Sequence, residues 1–218
     1  MWVTGSEDGR DAWGAKEKTV HTVIRRYQGD PKALAELVRM AADAADDVIT
    51  TIPGFVSWAI ADDGKGTALS VGTFDDKTGA DESTRRAAAW VREHAADLRL
   101  NAPSVVEGEV RIRKSVPGVH AKYGVLRTYK VNPGSVDEIV RRGEEGLVPL
   151  ITQSPGFVRY SFIDAGGGTI ATTTAFETQE QAEASVRLAA DWVKQNLSSL
   201  VPNPPEVTSA QIKVNWVK

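Results

Sequence analysis

The stretch IPGFVSW, at residues 52–58, decides the fold because the chain writes it again as SPGFVRY at residues 154–160. Shifting the sequence by 102 positions gives a match without a gap from residue 23 to about residue 113. VIRRYQGDP lies over VLRTYKVNP, and AAAWV at residues 87–91 lies over AADWV at residues 189–193. Solenoid units are about 20 to 50 residues long, so a repeat of this length indicates a duplicated domain.

Each copy predicts the element order β-α-β-β-α-β. In the first copy we predict strands at residues 23–28, 55–61, 67–74 and 105–113, from their alternating and β-prone residues. Asp30-Pro31 is a helix start, since an Asp side chain caps free amides and proline loses nothing there. That helix ends at Pro53-Gly54, and a second helix is predicted at residues 79–98.

The second copy repeats the pattern, with a first strand at residues 125–130, a second helix at residues 179–200 and a last strand at residues 207–215. We therefore predict an N-terminal extension at 1–20, domains at 21–113 and 123–218, and a linker at 114–122. Two helices on one face of a four-stranded sheet leave the other face open. The fold class predicted is α+β, with two tandem ferredoxin-like halves closing into a pseudo-dimeric α/β barrel.

Composition excludes several classes of function. The formal net charge of −3, with basic residues scattered among carboxylates, argues against nucleic acid or a membrane surface as a partner. No apolar run approaches the roughly 18 residues of a membrane span. The absence of cysteine excludes disulfides, thiolate nucleophiles and Cys-ligated metal centres. Three histidines in unlike contexts show no metal-ligand spacing, so no metal and no cofactor are predicted, and the location expected is the cytoplasm.

The element order, the PGF turn into the second strand and the AAxWV pattern of the second helix resemble the dimeric α/β-barrel superfamily. The chain is most similar to its antibiotic-biosynthesis-monooxygenase-like branch, in a tandem single-chain form. The resemblance covers about residues 21–217. It implies functions ranging from cofactor-independent oxygenation of polycyclic aromatics to haem degradation, decarboxylation and isomerisation. The haem-degrading members use an Asn, a Trp and an iron-binding His, whereas the first strand here offers Arg25 and Tyr27.

The candidate catalytic residues are Arg25 with Tyr27 and their repeats, Arg127 with Tyr129. Residues two apart on a strand point to one face, so each pair lies on one side of its sheet. If that side lines the barrel, a cation and a phenol could bind an enolate, carboxylate or phenolate and favour its reaction with O2. Alternatively, the arginines pair with carboxylates between the halves while each tyrosine packs in the core.

The candidate ligand-binding residues are Trp58, Tyr160 and Arg159. Trp58 and Tyr160 occupy equivalent positions and would flank a planar ring, or else fill the core. Arg159 stands where the first copy has Ser57, so a cavity-facing Arg159 would make the two halves unequal.

We predict a protein that binds a small aromatic molecule, with cofactor-independent monooxygenation as the activity if it is an enzyme. Two other classes stay open: a non-catalytic binding or stress-response protein, and a structural fusion with a filled barrel. The predicted assembly is a monomer that acts as a pseudo-dimer, with further dimerisation left open.

Overall fold

The computed structural model describes residues 20–218. Except for Val20, the predicted N-terminal extension, with its Trp2 and Trp13, lies outside the described residues. The first half contains β1 His21–Gln28, α1 Pro31–Ala45, β2 Phe55–Asp62, β3 Thr67–Phe74, α2 Lys77–His94 and β4 Ser104–Ser115. The second half contains β5 Tyr123–Lys130, α3 Val136–Arg142, α4 Val148–Thr152, β6 Phe157–Asp164, β7 Thr169–Phe176, α5 Gln179–Asn196 and β8 Glu206–Val217.

The eight strands form one closed antiparallel barrel in the order β1-β3-β2-β8-β5-β7-β6-β4. Each half contributes four strands, and the halves join where β2 pairs with β8 and where β4 pairs with β6. The last strand of each half therefore completes the sheet of the other. Closure pairs the sheet edges of both halves, which confirms the predicted fold class.

Alternate residues of each strand enter different hydrophobic clusters. Val23 and Tyr27 on β1 belong to a cluster with α1 and α2, whereas Ile24 between them belongs to a cluster inside the barrel. The barrel interior also contains Leu69 and Leu126. The apolar core of residues 20–218 therefore comprises the barrel interior and one layer between sheet and helices in each half. A further small cluster contains Ala121, Val158 and Ala175.

Helix starts follow the sequence closely. Asp30 caps α1 by accepting a hydrogen bond from the amide of Ala33 at 2.9 Å. Thr178 and Gln181 form a capping box at the start of α5.

Other helix boundaries differ from the prediction. α2 ends at His94, short of the predicted residue 98, and a 3-10 turn follows at Ala96–Leu98. In the second half the first helix is divided, because the π-helical turn Gly143–Leu147 separates α3 from α4. Proline lacks the amide needed for the helical ladder, and Pro149 lies just after that turn. Across residues 20–218, none of the helices has the length and apolar character required to cross a membrane.

Candidate functional site

Arg25 and Tyr27 on β1 face α1 and α2, so the side that they share is the helix side of the sheet and not the barrel interior. Only 3% of Arg25 is exposed. Its Nη2 donates to Ser83 Oγ at 2.9 Å and to Thr84 Oγ1 at 2.8 Å, both on α2. Those hydroxyls in turn donate to the carbonyl of Ala80.

The charge of Arg25 has no carboxylate partner within 4.0 Å among residues 20–218, which contradicts the expected pairing between the halves. Its Nη1 is buried and makes no hydrogen bond to any described residue. Burial lowers the pKa of the guanidinium from its ordinary value, while Tyr27 and Glu107 act in the opposite direction. Burying a cation whose hydrogen bonds go to neutral hydroxyls is costly, and the Glu107 carboxylate on the neighbouring strand offsets part of that cost.

A cavity of about 50 Å³ adjoins this guanidinium. Its helix walls carry small side chains, and we call it the alanine cleft after Ala41, Ala44 and Ala45 of α1 and Ala87 of α2. Because several of these wall residues are only half-buried, the cleft reaches the surface between the two helices. Arg25 lies at the base of the cleft, with almost none of its own surface exposed.

Aromatic side chains complete the alanine cleft. Tyr27, Trp58 and Trp90 line it, and the Trp58 indole donates to Ser70 Oγ at 3.0 Å. Burial raises the pKa of the Tyr27 phenol, partly offset by Arg25, so the phenol stays protonated at neutral pH. A protonated phenol beside a guanidinium offers two donors to an anionic ligand.

The second half places Arg127 and Tyr129 in the same way but packs the surrounding space more fully. Arg127 donates to Thr174 Oγ1 and to Ser185 Oγ, each at 3.1 Å, and its buried Nε has no hydrogen-bond partner among the described residues. Burial lowers the pKa of Arg127, and Tyr129 opposes that shift.

Three residue differences between the halves explain why the space beside Arg127 is filled while the space beside Arg25 is open. Leu147, Phe162 and Thr174 are buried in the second half, at the positions held by Ala45, Ile60 and Gly72 in the first. Each exchange adds side-chain volume. The alanine cleft is thus a property of the first half.

The remaining predicted site residues do not come together. Trp58 lies in the helix layer of the first half, and Tyr160 lies in that of the second, so they cannot flank one ring. Arg159 points to a cavity inside the barrel, on the opposite face of the sheet from Tyr160. The catalytic and ligand-binding assignments of these residues remain predictions.

Ser83 and Thr84, which bind Arg25, were not among the residues predicted from the sequence. Ser83 is 1% exposed, and its repeat Ser185 is 2% exposed and bonded to Arg127. The sequence did contain a signal for these residues, because both copies carry a serine at the same position of an amphipathic helix.

A haem group does not fit this site. His94 is half exposed at the end of α2 and packs on the Trp90 ring, with centroids 5.5 Å apart. At about 50 Å³ the cleft is too small even for one aromatic ring unless α1 and α2 part, and a porphyrin would require a far larger displacement. Residues 20–218 also bring together no group of three or more His, Asp or Glu side chains that could hold a metal ion.

No protein-family model matches the chain, and no curated protein matches it. Several solved structures, in contrast, superimpose on the chain. An anthrone oxidase-like protein superimposes with a TM-score of 0.66 at 13% identity, covering 93% of this chain and 94% of that one. A candidate monooxygenase from Lactobacillus acidophilus gives 0.67 at 11% identity, covering 91% and 96%. A mutant chlorite dismutase from Candidatus Nitrospira defluvii gives 0.60 at 10% identity, covering 89% and 91%.

At these identities the likeness establishes the fold. The protein has the dimeric α/β-barrel fold, with both halves of the barrel supplied by one chain. This confirms the fold implied by the sequence resemblance. The origin of the halves by duplication remains an interpretation of the repeat.

Proposed function

We propose that the alanine cleft binds a small planar organic anion, such as a phenolate or an enolate, and that the protein is a monooxygenase acting without a cofactor. The observation that carries the proposal is Arg25, a buried cation on the cleft with no carboxylate partner and one unpaired nitrogen among the described residues. A bound anion would supply both the missing charge and the missing acceptor.

The reaction follows from what these side chains stabilise. Deprotonation of a weakly acidic CH or OH group gives an enolate or a phenolate, and Arg25 stabilises the negative charge on its oxygen. Tyr27 donates a hydrogen bond to that oxygen. The substrate proton is released to solvent, and the electron-rich anion transfers an electron to O2. Recombination of the two radicals gives a peroxide anion, which takes up a proton from solvent to become a hydroperoxide. Where a CH2 group was attacked, loss of water leaves a carbonyl, so one oxygen atom enters the product and the other leaves as water.

Ligand size sets a requirement on the helices. An engineered cavity of about 150 Å³ holds benzene, which is larger than the alanine cleft. An aromatic ring therefore requires α1 and α2 to part. The π-helical turn Asp46–Thr50 lies directly after α1, and such turns are frequent at functional sites.

Binding is tested with 4-nitrophenolate at pH 9, followed by its absorbance. We expect Arg25→Met to weaken binding at least tenfold, and the matched variant Arg127→Met to leave it within twofold. Equal affinity of Arg25→Met and the unmodified protein would overturn the proposal.

Oxygenation is tested by O2 uptake with anthrone, chosen because one structural neighbour is an anthrone oxidase-like protein. The expected stoichiometry is one O2 consumed per carbonyl formed, with one labelled oxygen incorporated from 18O2. Uptake should fall to the spontaneous rate in Arg25→Met and persist in Arg127→Met. Binding without uptake would instead support the non-catalytic binding protein.

A filled barrel does not decide between these functions. The interior cluster of the barrel lies on the other face of the sheet from the alanine cleft. If the protein were a structural fusion without a ligand, the alanine cleft as well as the barrel interior would have to bind nothing.

A further inference from the structure

One mouth of the barrel carries an uneven distribution of charge. On one wall, β4 and β6 pair so that Arg113 lies opposite Ser161 and Ser115 lies opposite Arg159. Arg113 and Arg159 are thus diagonal neighbours. The equivalent positions on the opposite wall, where β2 pairs with β8, are Asn215 and Ser57.

Arg159 has no carboxylate partner among the residues that the structure describes. Its Nη2 donates to Asn215 Oδ1 at 3.4 Å, a long hydrogen bond across the barrel, and no carboxylate lies within 4.0 Å of it among residues 20–218. Burial lowers the pKa of this guanidinium, and repulsion from Arg113 acts in the same direction. Like charges directly opposite each other destabilise a pair of strands, and a diagonal pair of long side chains is still close enough to interact.

The space beside Arg159 is a cavity of about 70 Å³ inside the barrel. Arg159 supplies the positive charge in the lining of this cavity. The other lining residues are mainly small and apolar, and they include Ala59, Ala61, Leu69, Ala121, Ala175 and Ile212. One water molecule needs a cavity of about 10–15 Å³, so this cavity has room for a few non-hydrogen atoms of a ligand.

We propose that this mouth binds a short-chain aliphatic monocarboxylate, with its carboxylate on Arg159 and its hydrocarbon tail in the alanine-lined cavity. The planar guanidinium fork matches a carboxylate with two parallel hydrogen bonds. Asn215 orients the fork by accepting from Nη2, and Arg113 adds attraction from the rim. The site is separate from the alanine cleft, because Arg25 lies on the helix side of the sheet.

Calorimetric titration of the full chain with butyrate at pH 7 and low salt tests the proposal. We expect binding in the millimolar range, at least a tenfold loss in Arg159→Ser, and no binding of butyramide, which lacks the charge. Serine is the residue that the first half carries at this position. Arg187→Ser removes the same charge from the exposed face of α5 and should stay within twofold of the unmodified protein.

A second variant tests where the tail lies. Ala175→Thr introduces the residue that the first half carries as Thr73 and fills part of the cavity while leaving Arg159 in place. Butyrate affinity should fall about fivefold, and acetate affinity should not change. Unchanged butyrate affinity in either Arg159→Ser or Ala175→Thr, or its loss in Arg25→Met, would overturn the proposal.

Discussion

The two helix layers share a backbone plan and differ in how they fill it. In the first half the space above Arg25 is a cleft between alanines, and in the second half Leu147 and Phe162 occupy the corresponding space above Arg127. Both arginines are 3% exposed and both are bound by a serine of the second helix. A repeated polar pair is therefore not enough to make a repeated site, because the volumes of the neighbouring side chains determine whether a ligand has access.

The largest effect is expected from opening the second layer. Leu147→Ala should destabilise the protein by about 3 kcal/mol, since deleting a buried leucine loses both transfer free energy and packing. Urea unfolding monitored by circular dichroism measures the change. A loss below about 1 kcal/mol would show that Leu147 does not fill this layer in the way described.

The reverse substitution closes the first layer. Ala45→Leu should abolish 4-nitrophenolate binding, because Ala45 lines the alanine cleft and leucine is the residue found in the second half. Overpacking should cost about 1–3 kcal/mol. Unaltered binding by a folded Ala45→Leu variant would place the ligand elsewhere.

A smaller effect is expected from the two glycines of the π-helical turn. A Cβ on Gly146 would lie 2.7 Å from Cζ2 of Trp192, whereas a Cβ on Gly143 would meet nothing within 4 Å. Gly146→Ala should therefore destabilise by about 1–2 kcal/mol through overpacking, and Gly143→Ala should stabilise by up to about 1 kcal/mol through helix propensity. Thermal melts of the two variants provide the comparison, and similar shifts would contradict the close contact of Trp192 with this turn.

The smallest effect concerns the equivalent surface pair Glu36 and Glu138. Hydrogen bonds from Arg141 and Arg142 lower the pKa of Glu138 to about 2, whereas the pKa of Glu36 is lowered by Arg39 alone. Because the carboxylate form is favoured in the folded state, this stabilisation is present above the unfolded pKa of 4.5 and is lost as pH falls toward 2.

Glu138→Gln should consequently reduce the difference in stability between pH 7 and pH 3 more than Glu36→Gln does. Both carboxylates are exposed, so the effect should shrink when salt is added. Urea midpoints at the two pH values measure it, and an equal response of the two variants would argue against the second arginine partner.

The architecture could be predicted from the sequence. The repeat at a spacing of 102, the capping residues Asp30 and Thr178 and the period-two strands are local features, and local features specify element order. The element order then required a second sheet to cover the first. It also placed Arg25 and Tyr27 on a common face.

Which of the two sheet faces carries Arg25 and Tyr27 became clear from the packing of the helices on the sheet. Period-two alternation identifies two faces of a strand but does not say which one meets helices and which one enters the barrel. The alanine cleft depends on Ala45, Ile60 and Ala87, which are distant in sequence and meet only after the helices pack on the sheet. The same holds for Arg159 and Asn215, which come together because closing the barrel brings β6 and β8 to opposite sides of one mouth.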